Sequence, residues 1–126
     1  MNIKIYMVKS FRKWLKKQRI NTEILIDAVK EIQDGLVDAD LGNDLYKKRI
    51  PISGKGKRSG ARTLVAYRKN DKLFFLHGFS KNEKDNISNK EKLALFEYVD
   101  LYMGLSSNQL SKAIECEELT EVIQND

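Results

Sequence analysis

Residues 45–70 read LYKKRIPISGKGKRSGARTLVAYRKN. Two alternating runs flank a glycine-punctuated centre, the pattern of two strands joined by a loop. Over residues 45–52, Tyr46, Lys48, Ile50 and Ile52 share one face, and Leu45, Lys47, Arg49 and Pro51 share the other. Pro51 suits a strand end or edge, because it has no N–H to give to a ladder. Residues 53–60, SGKGKRSG, form a basic loop, and residues 61–68 a second strand. Lys69, Asn70, Asp71 and Lys72 supply a hairpin turn. Residues 73–79, LFFLHGF, make a third strand apolar enough to lie centrally in a sheet.

Outward from this centre the periods change. Ile3, Ile5 and Met7 alternate as a short strand. Ser10 can cap a helix over residues 11–19 with Phe11, Trp14 and Leu15 on one side, and Asn21 and Thr22 can cap a second. The second carries Leu25, Ala28, Val29 and Ile32 at helical spacing, and Gly35 falls where a glycine ends a helix. Residues 38–44, DADLGND, read as a turn-rich loop; the spaced acids and closing Glu of a calcium-binding loop are missing. Ser88 and Glu91 form a capping box that opens a helix burying Leu93, Phe96, Tyr98, Val99, Leu101 and Tyr102, ending at Gly104. The order β-α-α-β-β-β-α predicts an α+β fold: a small, mainly antiparallel sheet with an N-terminal helical hairpin and a C-terminal helix packed on it. Residues 1–104 are expected to form this domain. Residues 105–126 are expected to be an acidic C-terminal extension, helical or frayed.

A chain of 126 residues makes one domain. Charged residues are 33% of it, and one Pro and seven Gly argue against disorder. No segment approaches the ~20 apolar residues of a membrane span, and no signal-peptide core opens the chain. The lone Cys116 cannot form an internal disulfide, and its neighbours Glu115, Glu117 and Glu118 are acidic, whereas a nucleophilic thiolate wants cations. A cytoplasmic, reduced protein is expected.

The net charge is +5, yet residues 115–126 carry −5, which leaves +10 on residues 1–114. Such asymmetry suggests a polyanionic partner. Residues 45–70 hold nine cations and no Asp or Glu. Lys47 and Arg49 project from one strand face, Lys55, Lys57 and Arg58 lie in the loop, Arg62 opens the next strand, and Lys81 follows the third. Glycines at 54, 56 and 60 let a backbone approach a polyanion closely. The loop lacks GxxxxGK[ST] and precedes a strand, so a nucleotide triphosphate site is excluded.

This cation set suits RNA binding by phosphate neutralisation. It also suits strand cleavage by the ribose 2′-OH, in which arginine forks stabilise charge on the phosphorane and a lysine set among other cations acts as base. Such cleavage needs no metal, and one His and one Cys offer no metal site; no cofactor is expected. His77 reads first as a partly buried histidine satisfied by the backbone, and second as the acid for the leaving oxygen. Phe79 can stack on a base or belong to the core. The acidic extension reads as a solvated end, or as a tail folded across the basic face.

The run LYKKRIPISGKGKRSGARTLVAY, followed by FFLHGFSKNEKDNIS, resembles the RelE/HigB family of bacterial type II toxins, HigB-like branch above all, over roughly residues 1–104. The resemblance implies a ribosome-dependent mRNA endonuclease (an mRNA interferase) that inhibits translation by metal-independent 2′-OH attack. Its partners would be the ribosome, mRNA and a cognate antitoxin of helix-turn-helix type. Residue by residue, Lys47, Arg49, Arg62 and Lys81 match the family's catalytic cations, and Lys55, Lys57, Arg58 and Phe79 would contact RNA. Two departures stand out: Asn82 occupies an arginine position, and Asn86, Ile87 and Ser88 offer no tyrosine, which leaves Lys57, Arg58 and His77 as candidate acids. The alternatives are a growth inhibitor of ParE type acting on DNA gyrase and a plain RNA-binding module.

Overall fold

A computed structural model describes residues 3–52, 60–80 and 86–124. The order is β1 (Lys4–Val8), α1 (Lys9–Lys17), α2 (Thr22–Gln33), β2 (Ala39–Gly42), β3 (Leu45–Ile50), β4 (Ala61–Tyr67), β5 (Lys72–Ser80), α3 (Asn89–Met103), α4 (Ser107–Glu115) and β6 (Leu119–Glu121). The strands form one sheet in the order β2-β3-β4-β5-β1-β6, parallel only between β1 and β5. The α+β plan and mainly antiparallel sheet are therefore as the sequence predicts.

The helices start and stop for local reasons. The Asn21 side chain accepts the Glu23 N–H at 2.9 Å, occupying one orphan donor of α2. Gly35, at φ +85°, ends α2: its N–H donates to the Ile32 carbonyl, and the Leu36 N–H to the Glu31 carbonyl, the paired bonds of a Schellman turn. Ser88 and Glu91 exchange both bonds of the capping box at α3. At α1 the expectation fails. Val8 is the N-cap, with no side-chain bond, because β1 runs directly into the helix.

The stretch 38–44 is not a loop. Ala39–Gly42 pairs with β3, and Asn43 and Asp44 both have positive φ (51° and 61°), as a two-residue hairpin turn matched to strand twist requires. Asn43 then donates to the Phe96 carbonyl and the Asp100 carboxylate, tying this turn to α3.

The sheet has two faces. One packs against α1 and α2 through Phe75, stacked on Phe11, and through Ile50, Leu25, Val29 and Ile32, all buried. Trp14 lies flat on the β5 backbone there, so a Cβ on Gly78 would sit 2.4–2.8 Å from three of its ring atoms. The other face carries Phe74, stacked on Tyr102 of α3. α3 buries Val99 and Met103, while Leu93, Tyr98 and Leu101 stay exposed; its apolar residues encircle the helix, and only one arc reaches the sheet.

The chain beyond α3 returns to the same sheet. α4 is followed by β6, which pairs antiparallel with β1, and Leu119 and Val122 are buried. No helix among the described residues is long and apolar enough to cross a membrane.

Gly78→Ala is expected to destabilise the fold by about 1–3 kcal/mol, as overpacking does. Urea unfolding followed by Trp14 fluorescence measures it.

Candidate nucleic-acid interface

The register of three strands builds the site. Arg49 stands opposite Arg62, and Arg62 opposite Phe79; Lys47 stands opposite Leu64, and Leu64 opposite His77. Cross-strand partners point the same way, so Lys47, Arg49, Arg62, His77 and Phe79 share the face that α3 partly covers. Lys47 and Arg62 are diagonal neighbours, with backbones roughly 7–8 Å apart. Like charges directly opposite each other, as at Arg49 and Arg62, are destabilising in a sheet. Something must offset them.

For three cations the compensation is internal. Lys48 points to the opposite face, is buried, and binds Glu31 at 2.6 Å and the Leu36 carbonyl at 2.8 Å. It holds β3 against the end of α2 and has no share in the interface. Arg68 forks onto Asp44 at 3.1 and 3.2 Å, closing the far end of the hairpin. Asp38 accepts the Arg49 N–H at 2.6 Å and lies 3.7 Å from its Nε, which is itself buried without a hydrogen bond. Arg49 is thus partly neutralised. It also borders a small cavity of about 150 Å³ beside Asp27 and Glu31 of α2.

Arg62 has no such partner. It is only 6% exposed, its Nη1 is buried without a hydrogen bond, and no carboxylate among the described residues pairs with it. Neither Lys47 nor Lys69 forms an ion pair among the described residues, but Lys69 lies at the distant turn. Lys47 and Arg62 are therefore the uncompensated cations of this face. A buried guanidinium lacking an acceptor is costly, and an anion, phosphate above all, would complete it.

Of the two readings of Phe79, base-stacking ring or core residue, the structure favours the core. Phe79 is 2% exposed, within the core and 5.9 Å from the His77 ring, because a residue facing Arg62 on a central strand is covered on both sides. His77 is half-buried on the same face. Lys55, Lys57, Arg58 and Lys81 lie outside the described residues, though Ile52, Gly60 and Ser80, from which those segments depart, are all at the Arg62 end of the sheet. The described part of the acidic segment does not reach Arg62: β6 is the edge strand beyond β1, and Glu121 there pairs with Lys4.

The family model for the RelE toxin of the RelE / RelB toxin-antitoxin system matches residues 3–122. The chain belongs to the RelE toxin family. It is therefore a toxin of a toxin-antitoxin system, with a cognate antitoxin as partner. The match runs well past residue 104, in keeping with the place of β6 inside the sheet. Among curated proteins, none matches the chain.

Two substitutions separate structural from functional cations in this RelE-family toxin. Arg62→Met removes a buried charge that lacks an acceptor, so stability is expected to rise by about 1 kcal/mol or more. Lys48→Met strands the Leu36 carbonyl and removes the buried ion pair to Glu31, so stability is expected to fall by about 1–3 kcal/mol. Chemical denaturation midpoints of both variants check the opposite signs.

Proposed function

We propose that this toxin is an mRNA endonuclease that cuts on the ribosome by 2′-OH attack, in the cytoplasm, and that a helix-turn-helix antitoxin restrains it. The supporting observation is Arg62, a buried guanidinium with a free N–H on the face that also carries Lys47 and Arg49. An enzyme keeps such a costly group when its partner arrives only with substrate.

In the proposed reaction the 2′-OH attacks the adjacent phosphorus, and negative charge grows on the non-bridging oxygens. Arg62 donates to that charge from a site already dry and fixed, where a hydrogen bond to an anion is strong. Lys47, on the same face, takes the 2′ proton. Arg49, held by Asp38, positions the neighbouring phosphate. The family resemblance adds Lys81, and the basic run adds Lys55, Lys57 and Arg58, to this set. His77 is the acid we favour for the 5′ leaving oxygen, since it shares the face of Lys47 and Arg62 and nothing else aromatic and titratable follows Ser80 before α3. The K-x-R strand and GKGKRSG loop support the HigB-like branch and argue against a gyrase inhibitor.

Induced expression followed by mapping of mRNA 5′ ends is the test. Cuts should fall within translated messages, in codon register. Arg62→Ala and Lys47→Ala should each lower cleavage at least 100-fold, the scale seen when one donor to a developing oxyanion is removed. Growth arrest with intact mRNA would defeat the proposal.

A further inference from the structure

A cavity of about 500 Å³ opens beside the Arg62 site, within the size range of ligand pockets. It forms where β1 stops and turns into α1 while β5 continues, with α3 as its roof. Four aromatic rings lead to it. Tyr6 stacks on Phe74 at 5.2 Å, Phe74 on Tyr102 at 5.4 Å, and Tyr102 on Tyr98 at 6.2 Å with planes 18° apart. Tyr98, the last ring, lines the cavity and is 50% exposed. The ladder thus ends on an aromatic surface that could take one more ring. Burial, then Tyr98 and the Glu118 carboxylate, push the Tyr102 pKa up, so its phenol remains a neutral hydrogen-bond donor and acceptor.

The rim carries charges of both signs. Lys9 and Lys13, one turn apart on α1, are exposed and form no ion pair among the described residues. α1 carries Arg12, Lys16 and Lys17 as well, and no acidic residue. Glu118 lies beside Lys9 on this rim, the Lys9 N–H donating to its carbonyl at 3.1 Å. His77 contributes to the wall, and it stands one same-face position along β5 from Phe79, the partner of Arg62. That step is about 7 Å along the strand, plus one strand spacing of about 5 Å across it.

Resting on the endonuclease reading, we infer that this cavity is a base-binding subsite for an RNA nucleotide one or two positions from the cut. The base stacks on Tyr98, Lys9 and Lys13 neutralise its phosphate, and Glu118 accepts from an exocyclic amine. An apolar side chain of a protein partner would use the aromatic wall, but it would leave two lysines and a carboxylate on the rim unanswered; a nucleotide answers all three. The carboxylate makes the site selective: it suits the amines of cytosine, adenine and guanine, and it repels the carbonyl oxygen of uracil.

The test uses 2′-O-methyl tetranucleotides, which bind but cannot be cut by 2′-OH attack, with one position varied through all four bases. The wild-type protein should bind cytosine about tenfold more tightly than uracil at one position. Tyr98→Ala should weaken binding about tenfold, while Tyr98→Phe keeps it. Glu118→Gln, an exposed substitution, should erase the cytosine–uracil difference by lowering cytosine affinity toward that of uracil. Lys9→Ala with Lys13→Ala should flatten the salt dependence of affinity. Thermal unfolding of each variant separates a lost site from a lost fold. Wild-type affinity and base preference in both Tyr98→Ala and Glu118→Gln would overturn the subsite. So would variants that lose antitoxin binding while keeping RNA binding, which would make the cavity a protein-docking pocket. If Arg62→Ala still cut mRNA, the endonuclease reading would fail instead, whatever the binding data showed.

Discussion

The register between β3 and β4 sets Arg49 opposite Arg62, and most of what is unusual in this molecule follows from that placement. Two guanidinium groups side by side repel each other, and the fold neutralises only one of them, through Asp38. The other lies buried with a free donor. The surrounding structure makes this tolerable. β4 is buried along nearly all its length, β5 backs it with four buried aromatic and aliphatic side chains in a row, and Thr63 donates to the Lys48 carbonyl at 2.7 Å to lock the pair in register. A one-residue slip would carry Arg62 to the helical face and Thr63 to the functional one.

The division of labour between the two faces explains why neighbouring lysines differ. Lys47 and Lys48 are adjacent in sequence and identical in chemistry. Strand pleating sends Lys48 under α2, where Glu31 and a helix-terminal carbonyl hold it, and Lys47 onto the face of Arg62. The end of α2 is shaped by Gly35, whose left-handed backbone lets the chain turn back and present the Leu36 carbonyl to Lys48. Helix termination, a buried ion pair and the orientation of the functional strand are thus one connected arrangement.

α3 serves both sites. Its cap at Ser88 starts it, and Asn43 secures its middle to the β2–β3 turn. Tyr102 and Val99 reach the sheet, while Tyr98 on the next arc closes the cavity. The toxin's basic face and its aromatic pocket are therefore fixed relative to each other by the same helix.

The sequence by itself determined the α+β class, the two central strands β3 and β4, the α2 and α3 caps and the shared face of Lys47 and Arg49, because these depend on periodicity and local hydrogen bonding. It misread residues 38–44, where an Asn–Asp turn hid a hairpin among polar residues, and it set β6 apart as an acidic extension because three residues give too short a period to detect. Its list of buried residues failed on α3 at Leu93, Tyr98 and Leu101, and it left Phe79 open between core and surface, since an apolar residue does not announce which arc of a helix or which layer it faces. Only the tertiary structure decided which cations are neutralised. Glu31, Asp38 and Asp44 lie 17, 11 and 24 residues from Lys48, Arg49 and Arg68, and pairing across such distances is set by strand register and packing. That pairing leaves Arg62, only 6% exposed, without a carboxylate partner among the described residues, and the proposed site is centred on it for that reason.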